Sequence, residues 1–176
     1  MADSWHELVV RPEGSKLHLG VMRTPAGSIA CAIGRAGMTR DKVEGDGTTP
    51  VGSWPMRRLL VRPQRWPGLE TSLPMAEIGI DDGWCDDPAD PRYNQPVRLP
   101  YPASCEALWR DDALYDAVVV LGYNDDPPVP GLGSAIFMHL ATSDYGPTAG
   151  CVALSATDLV RVLPHCRSGT LVTVVA

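Results

Sequence analysis

The chain has 176 residues, 44% of them hydrophobic, with a net charge of -6 and a pI near 5.1. Such length and apolar content, without a compositional break or internal repeat, describe one domain over 1–176 with a sizeable core. The acidic balance and the lack of any basic cluster exclude a nucleic-acid partner, and no apolar run reaches membrane-spanning length.

Taken in order, the chain opens on a polar segment, Met1 to Glu7, with neither a basic head nor an apolar stretch. The cysteines Cys31, Cys85, Cys105, Cys151 and Cys166 are odd in number and lack paired spacing, which suggests reduced thiols rather than a disulfide framework. Both features describe a soluble protein, cytoplasmic as given; a removed leader or another export route would place its action in the periplasm or cell wall. Leu17, Leu19 and Val21 alternate with Lys16, His18 and Gly20, and Ile29, Cys31 and Ile33 alternate with Ala30 and Ala32, so two strands are expected. Thr24-Pro25-Ala26-Gly27 is the hairpin turn between them. His6 and His18 fit surface or strand positions better than ligand positions.

Gly34 to Gly47 is a polar, glycine-rich connection, and Thr49-Pro50-Val51-Gly52 leads into a strand over Trp54 to Val61. Arg62 to Pro102 is rich in proline and turn residues, giving a long ordered loop with short extended pieces. Inside it, Asp81-Asp82-Gly83-Trp84-Cys85-Asp86-Asp87 is either a solvated acidic turn or a site for a cationic substrate group, with Trp84 and Asp86 as contacts. A calcium loop fits poorly, because the alternating acidic spacing of an EF-hand is absent. Ser104 is expected to cap a short helix through Cys105 to Trp109, and Asp116 to Leu121 is an apolar run that should be a buried strand. Gly122 to Asp126 is a polar turn, from which Tyr123 or Asn124 could line a cleft.

The chemistry concentrates further on. Ser134 to Leu140 reads as a buried strand, with Ile136, Met138 and Leu140 on one face and Ala135, Phe137 and His139 on the other. The turn-forming stretch Ala141 to Thr148 can fold the chain back so that Cys151 approaches the imidazole. Ser155-Ala156-Thr157-Asp158 matches a capping box and opens a helix that Pro164 ends. A thiol becomes a nucleophile through a base or a positive potential, which His139 and the nearby helix start could supply; amides around Gly150 and Cys151 could hold an oxyanion. That combination points to acyl transfer. On spacing alone, a buried inert thiol and a hydrogen-bonded core histidine fit equally well.

His139 followed by Thr148-Ala149-Gly150-Cys151-Val152 resembles the signature of the L,D-transpeptidase (YkuD-type) family, in which a histidine precedes a Ser/Thr-x-Gly-Cys-hydrophobic run. Asp46 to Trp54 is similar to that family's upstream Thr-Pro-x-Gly-x-aromatic segment, which frames the substrate cleft, and Gly169 to Val174 resembles its last strand. The sequence departs from the pattern at three positions. Ala149 stands where a second histidine is common, Ala153 where an Arg or Asn is common, and Leu140 where a glycine follows the histidine.

Many short strands, frequent Gly and Pro and two short helices imply a mainly β, single-domain sandwich or barrel-like fold, with a small α+β thiol-peptidase fold as the alternative. The resemblance implies Cys151 as nucleophile, His139 as base and Gly150 at the oxyanion site. Thr148, Ala149, Trp84, Asp86, Tyr123 and Asn124 are expected around the substrate. The imidazole would be oriented by Asp144 or, as the resemblance implies, by a backbone carbonyl near Leu140. The implied substrate is a peptidoglycan stem tetrapeptide and no cofactor is needed; the acceptor is an amine in a transpeptidase, or water in a carboxypeptidase or amidase. Two further readings are a catalytically silent peptide-binding module and a zinc protein using His139, Cys151 and either Cys85 or Cys166.

Overall fold

The computed structural model describes residues 3–176. Its strands are β1 (Glu7–Pro12), β2 (Leu19–Thr24), β3 (Gly27–Ala32), β4 (Met38–Thr39), β5 (Thr49–Pro50), β6 (Gly52–Val61) and β7 (Met75–Glu77). They continue with β8 (Asp82–Cys85), β9 (Pro96–Arg98), β10 (Cys105–Ala107), β11 (Ala117–Leu121), β12 (Phe137–Leu140), β13 (Val152–Leu154) and β14 (Leu171–Val174). The single α-helix among the described residues is α1 (Ala156–Val162), followed by one 3-10 turn at Leu163–His165.

Eight strands close on themselves in the order β11-β12-β13-β3-β2-β1-β14-β6, because β6 also pairs back onto β11. The ten-residue β6 makes closure possible: Gly52 to Pro55 pair with β14, while Met56 to Val61 pair with β11 on the opposite edge and β7 joins beyond β14. Most neighbours are antiparallel; β1 with β14 and β12 with β13 are parallel. Closure leaves no long unpaired edge. The fold is therefore mainly β and barrel-like.

Two apolar clusters divide the faces. Val119, Leu121, Met138, Val152, Leu154, Leu8, Val10 and Val172 fill the barrel, where Leu159, Val162 and Leu163 join them. Leu60, Val118, Val120 and Phe137 point outward and are covered by Trp84, Leu108 and Tyr115. Trp84 lies on a separate three-stranded sheet, β10-β8-β9, and meets Phe137 edge-on at 5.2 Å between ring centroids. With both faces buried, β11 reads as the continuous Val-rich run seen in the sequence.

Four expectations are corrected. Over residues 16–21 the faces are inverted: Gly20 and Met22 point inward, whereas Leu17 is 66% exposed. A period of two fixes the faces but not which is inside, and the inner position opposite Cys31 is a glycine, because a Cβ there would lie 3.1 Å from Cys31 Sγ. The helix over 104–109 is instead strand β10. The Ser104 carbonyl accepts from Asp86 N-H at 3.1 Å rather than Ser104 acting as a cap, so pairing with β8 overrides a weak local helix preference. The acidic stretch 81–87 is not an open turn, since Asp82 to Cys85 form the central strand of the small sheet, Gly83, Trp84 and Cys85 are buried, and Asp82 pairs with Arg98. The strand over 134–140 begins only at Phe137, because Ala135 sits in the left-handed region at φ 51° and breaks the ladder.

Candidate active site

His139 is the penultimate residue of β12 and the parallel β13 starts just after Cys151, in register Met138 to Val152 and His139 to Ala153. This pairing brings the imidazole and the thiol to one cavity of about 210 Å³ on the outer side of the barrel wall. Thr148, Ala149, Gly150, Ala153, Glu106, Arg110 and Tyr115 also line it.

Gly150 adopts φ 144°, and a Cβ there would lie 2.7 Å from the Thr48 carbonyl oxygen. Only a glycine lets the two chains approach this closely. The 148–151 turn is held locally: the Thr148 hydroxyl donates to the Cys151 carbonyl at 2.7 Å and accepts from Gly150 N-H at 3.1 Å. Gly150 N-H is therefore committed, and Cys151 N-H, which makes no hydrogen bond among the described residues, is the amide left for an oxyanion. The Thr-Pro segment 48–50 braces this turn from behind and lines no part of the cavity.

Cys151 is only 5% exposed. Its thiol donates to the Ala135 carbonyl at 3.2 Å and its sulfur accepts from Phe137 N-H at 3.4 Å. Burial pushes this thiol up to about 12; Glu106 adds to the effect, while Phe137 N-H, Lys42 and Tyr115 oppose it. His139 Nδ1 lies 2.8 Å from the Leu140 carbonyl oxygen. A carbonyl can only accept, so Nδ1 carries the proton and Nε2 remains as the basic nitrogen. Burial holds the imidazole down to about 4, against the Leu140 carbonyl, which favours the charged ring. At rest both groups are neutral. Low dielectric outweighs the activation expected from a nearby base and helix start. Asp144 is exposed and bonded to Thr142, and it does not orient the imidazole.

The remaining expected contacts lie outside the cavity. Trp84 is packed behind Phe137, and Asp86 lines no part of the cavity. Tyr123 packs edge-on against Trp54 and donates to the Leu132 carbonyl, while Asn124 donates to the carbonyls of Val129 and Gly133. Among the described residues, no three His, Cys, Asp or Glu side chains are grouped to hold a metal. Cys166 donates to the Val162 carbonyl beside α1.

Sequence reasoning missed three residues. Tyr115 presents its ring to His139 at 5.0 Å and donates to Glu106 at 2.6 Å. Burial raises the Glu106 carboxyl, opposed by Tyr115 and Arg110. Asn94 is buried: its Oδ1 accepts from Ala135 N-H at 3.0 Å and Trp84 Nε1-H at 2.9 Å, and its Nδ2 donates to the carbonyls of Tyr123 and Asn124. It thereby fixes the left-handed Ala135, whose carbonyl meets the thiol. Asn94 itself has φ 55°, a conformation asparagine tolerates; that preference is the one local signal that could have flagged it.

A family model for the L,D-transpeptidase catalytic domain, YkuD, matches residues 8–174. The chain belongs to the YkuD family. No curated protein matches it. The match spans every barrel strand from Leu8 to Val174 and gives this YkuD domain an L,D-transpeptidase-type function in general terms. Among the described residues, no helix of the domain is long and apolar enough to cross a membrane.

Proposed function

We propose that this YkuD domain is a cysteine-dependent acyltransferase acting on a peptidoglycan stem tetrapeptide, with Cys151 as nucleophile and His139 as general base. The observation that carries the reading is that thiol and imidazole line one cavity while His139 Nδ1 is occupied by the Leu140 carbonyl, leaving Nε2 for the thiol proton. Cys151 sulfur attacks the peptide carbonyl carbon as its proton passes to Nε2, and the C=O electrons move onto oxygen. Cys151 N-H donates to that oxyanion. The C-N bond then breaks, His139 returns the proton to the leaving amine, and a thioester remains. An acceptor amine, deprotonated by His139, attacks the thioester and regenerates the thiol; with water as acceptor the same steps give a carboxypeptidase. Gly150 serves through backbone shape rather than as a donor, and Thr148 and Ala149 form the cavity wall over the peptide. Action on this substrate places the protein in the periplasm or cell wall.

The test is the intact mass of the wild type, Cys151→Ala and His139→Ala after incubation with a tetrapeptide stem donor ending in D-Ala. The expected result is an acyl adduct or D-Ala release in the wild type alone. A reactive Cys151 thiol with neither outcome would overturn the peptidoglycan assignment, and an unreactive thiol would favour a binding module.

A further inference from the structure

Cys85 and Cys105 occupy directly opposed positions on the antiparallel strands β8 and β10. Asp86 N-H donates to the Ser104 carbonyl at 3.1 Å and Leu108 N-H to the Asp82 carbonyl at 2.9 Å, so the hydrogen-bonded positions of this ladder are 86 with 104 and 82 with 108. Alternation makes 85 with 105 a non-hydrogen-bonded pair, the class whose Cα atoms stand closest, at about 4.5 Å. That separation lies within the range a disulfide spans. Cys85 is buried and Cys105 half-buried, so an oxidant meets Cys105 first and Cys85 stands behind it. The other thiols have different surroundings: Cys31 is in the barrel core, Cys151 donates to Ala135 and Cys166 to Val162.

We propose that Cys85 and Cys105 form a reversible disulfide that tethers β10 to β8 beside the cavity. β10 is a three-residue edge strand, held in its sheet by β8 alone. It carries Glu106, which accepts from Tyr115, and the Tyr115 ring packs against His139. The tether therefore fixes the strand supporting one wall of the cavity, independently of which acyl donor the site takes. With hydrogen peroxide as oxidant, the Cys105 thiolate attacks one peroxide oxygen, the O-O bond breaks, and sulfenic acid and hydroxide form. Cys85 sulfur then displaces hydroxide from the sulfenic sulfur as its own proton leaves. In sum, two thiols lose two protons and two electrons, and the peroxide becomes two waters. Burial, with Cys85 and the carboxylates of Asp86 and Asp90 adding, pushes the Cys105 thiol up to about 11, so oxidation accelerates as pH rises.

The experiment treats a Cys151→Ala background with hydrogen peroxide at mildly alkaline pH, so that the nucleophile does not compete. Expected are a mass lower by two hydrogens, a tryptic fragment linking residues 66–92 to 99–110, reversal by dithiothreitol, and a reducible rise in Tm on the order of 5 °C. Cys105→Ser, at a half-buried position, removes all four changes even if Cys85→Ser does not fold. Stable sulfenic or sulfonic acid on Cys105 with Cys85 still open to alkylation after unfolding would overturn the proposal. So would a linkage to any other cysteine, or an unchanged mass.

Discussion

Replacing Asn94 with alanine tests whether the geometry around the thiol is set from the neighbouring sheet. The substitution leaves two buried donors, Ala135 N-H and Trp84 Nε1-H, without an acceptor and frees the carbonyls of Tyr123 and Asn124. Each orphaned buried donor costs about 1–3 kcal/mol, and the part-buried carbonyls recover water. Alanine at the left-handed position adds roughly 1 kcal/mol more, giving a loss of roughly 3–7 kcal/mol in all. Urea unfolding at pH 7 measures the loss, and turnover of the acyl donor, corrected to the folded fraction, measures the site. Because the Ala135 carbonyl accepts the Cys151 proton, turnover should fall beyond the loss of folded protein. Asn94→Asp sharpens the test: it keeps the shape and one acceptor but turns an oxygen toward two carbonyls. Its carboxyl pKa should therefore rise, so its stability relative to wild type is present at low pH and is lost as pH rises through that raised pKa. A loss under about 1 kcal/mol in Asn94→Ala, or no difference in pH dependence between Asn94→Asp and wild type, would refute the reasoning.

Two further outcomes are expected. Gly150→Ala sets a Cβ 2.7 Å from the Thr48 carbonyl at φ 144°, so the 148–151 turn must shift; steady-state kinetics should show kcat/KM lower by on the order of 100-fold, and unchanged kinetics would contradict the role given to the turn. His139, held down to about 4 by burial from an ordinary 6.5, contributes stability that is present above pH 6.5 and lost as pH falls through 4. Wild type should lose on the order of 3 kcal/mol more than His139→Gln between pH 7.5 and 4, by urea unfolding; parallel pH profiles would mean that the imidazole is solvated.

Local patterning carried much of the fold into view. Alternation marked Ile29, Cys31 and Ile33, the Val-rich run before Leu121 marked a strand covered on both faces, and Ser155 caps its helix through Asp158 N-H at 3.1 Å. Patterning failed where a glycine occupied the inward position at 20, and where the short stretch at 105–107 took its structure from a partner strand. The first strand, Glu7–Pro12, went unread because only Leu8 and Val10 are buried within it and its partner β14 lies at the far end of the chain.

The sequence by itself determined the family, through a histidine and a Thr-Ala-Gly-Cys run whose spacing a parallel β12–β13 pair turns into proximity. Both strands are local, and their alternation sets which side each residue takes. Tertiary structure alone decided the surroundings of the Cys151 thiol and the His139 imidazole. Glu106 and Tyr115 are separated from Cys151 by tens of residues and share its cavity, and Asn94 holds the Ala135 that meets the thiol, only because the β10-β8-β9 sheet folds over the barrel wall. The same burial makes the thiol and imidazole neutral at rest, since charge in a site of low dielectric depends on every element that excludes water and not on the residues beside it in the chain.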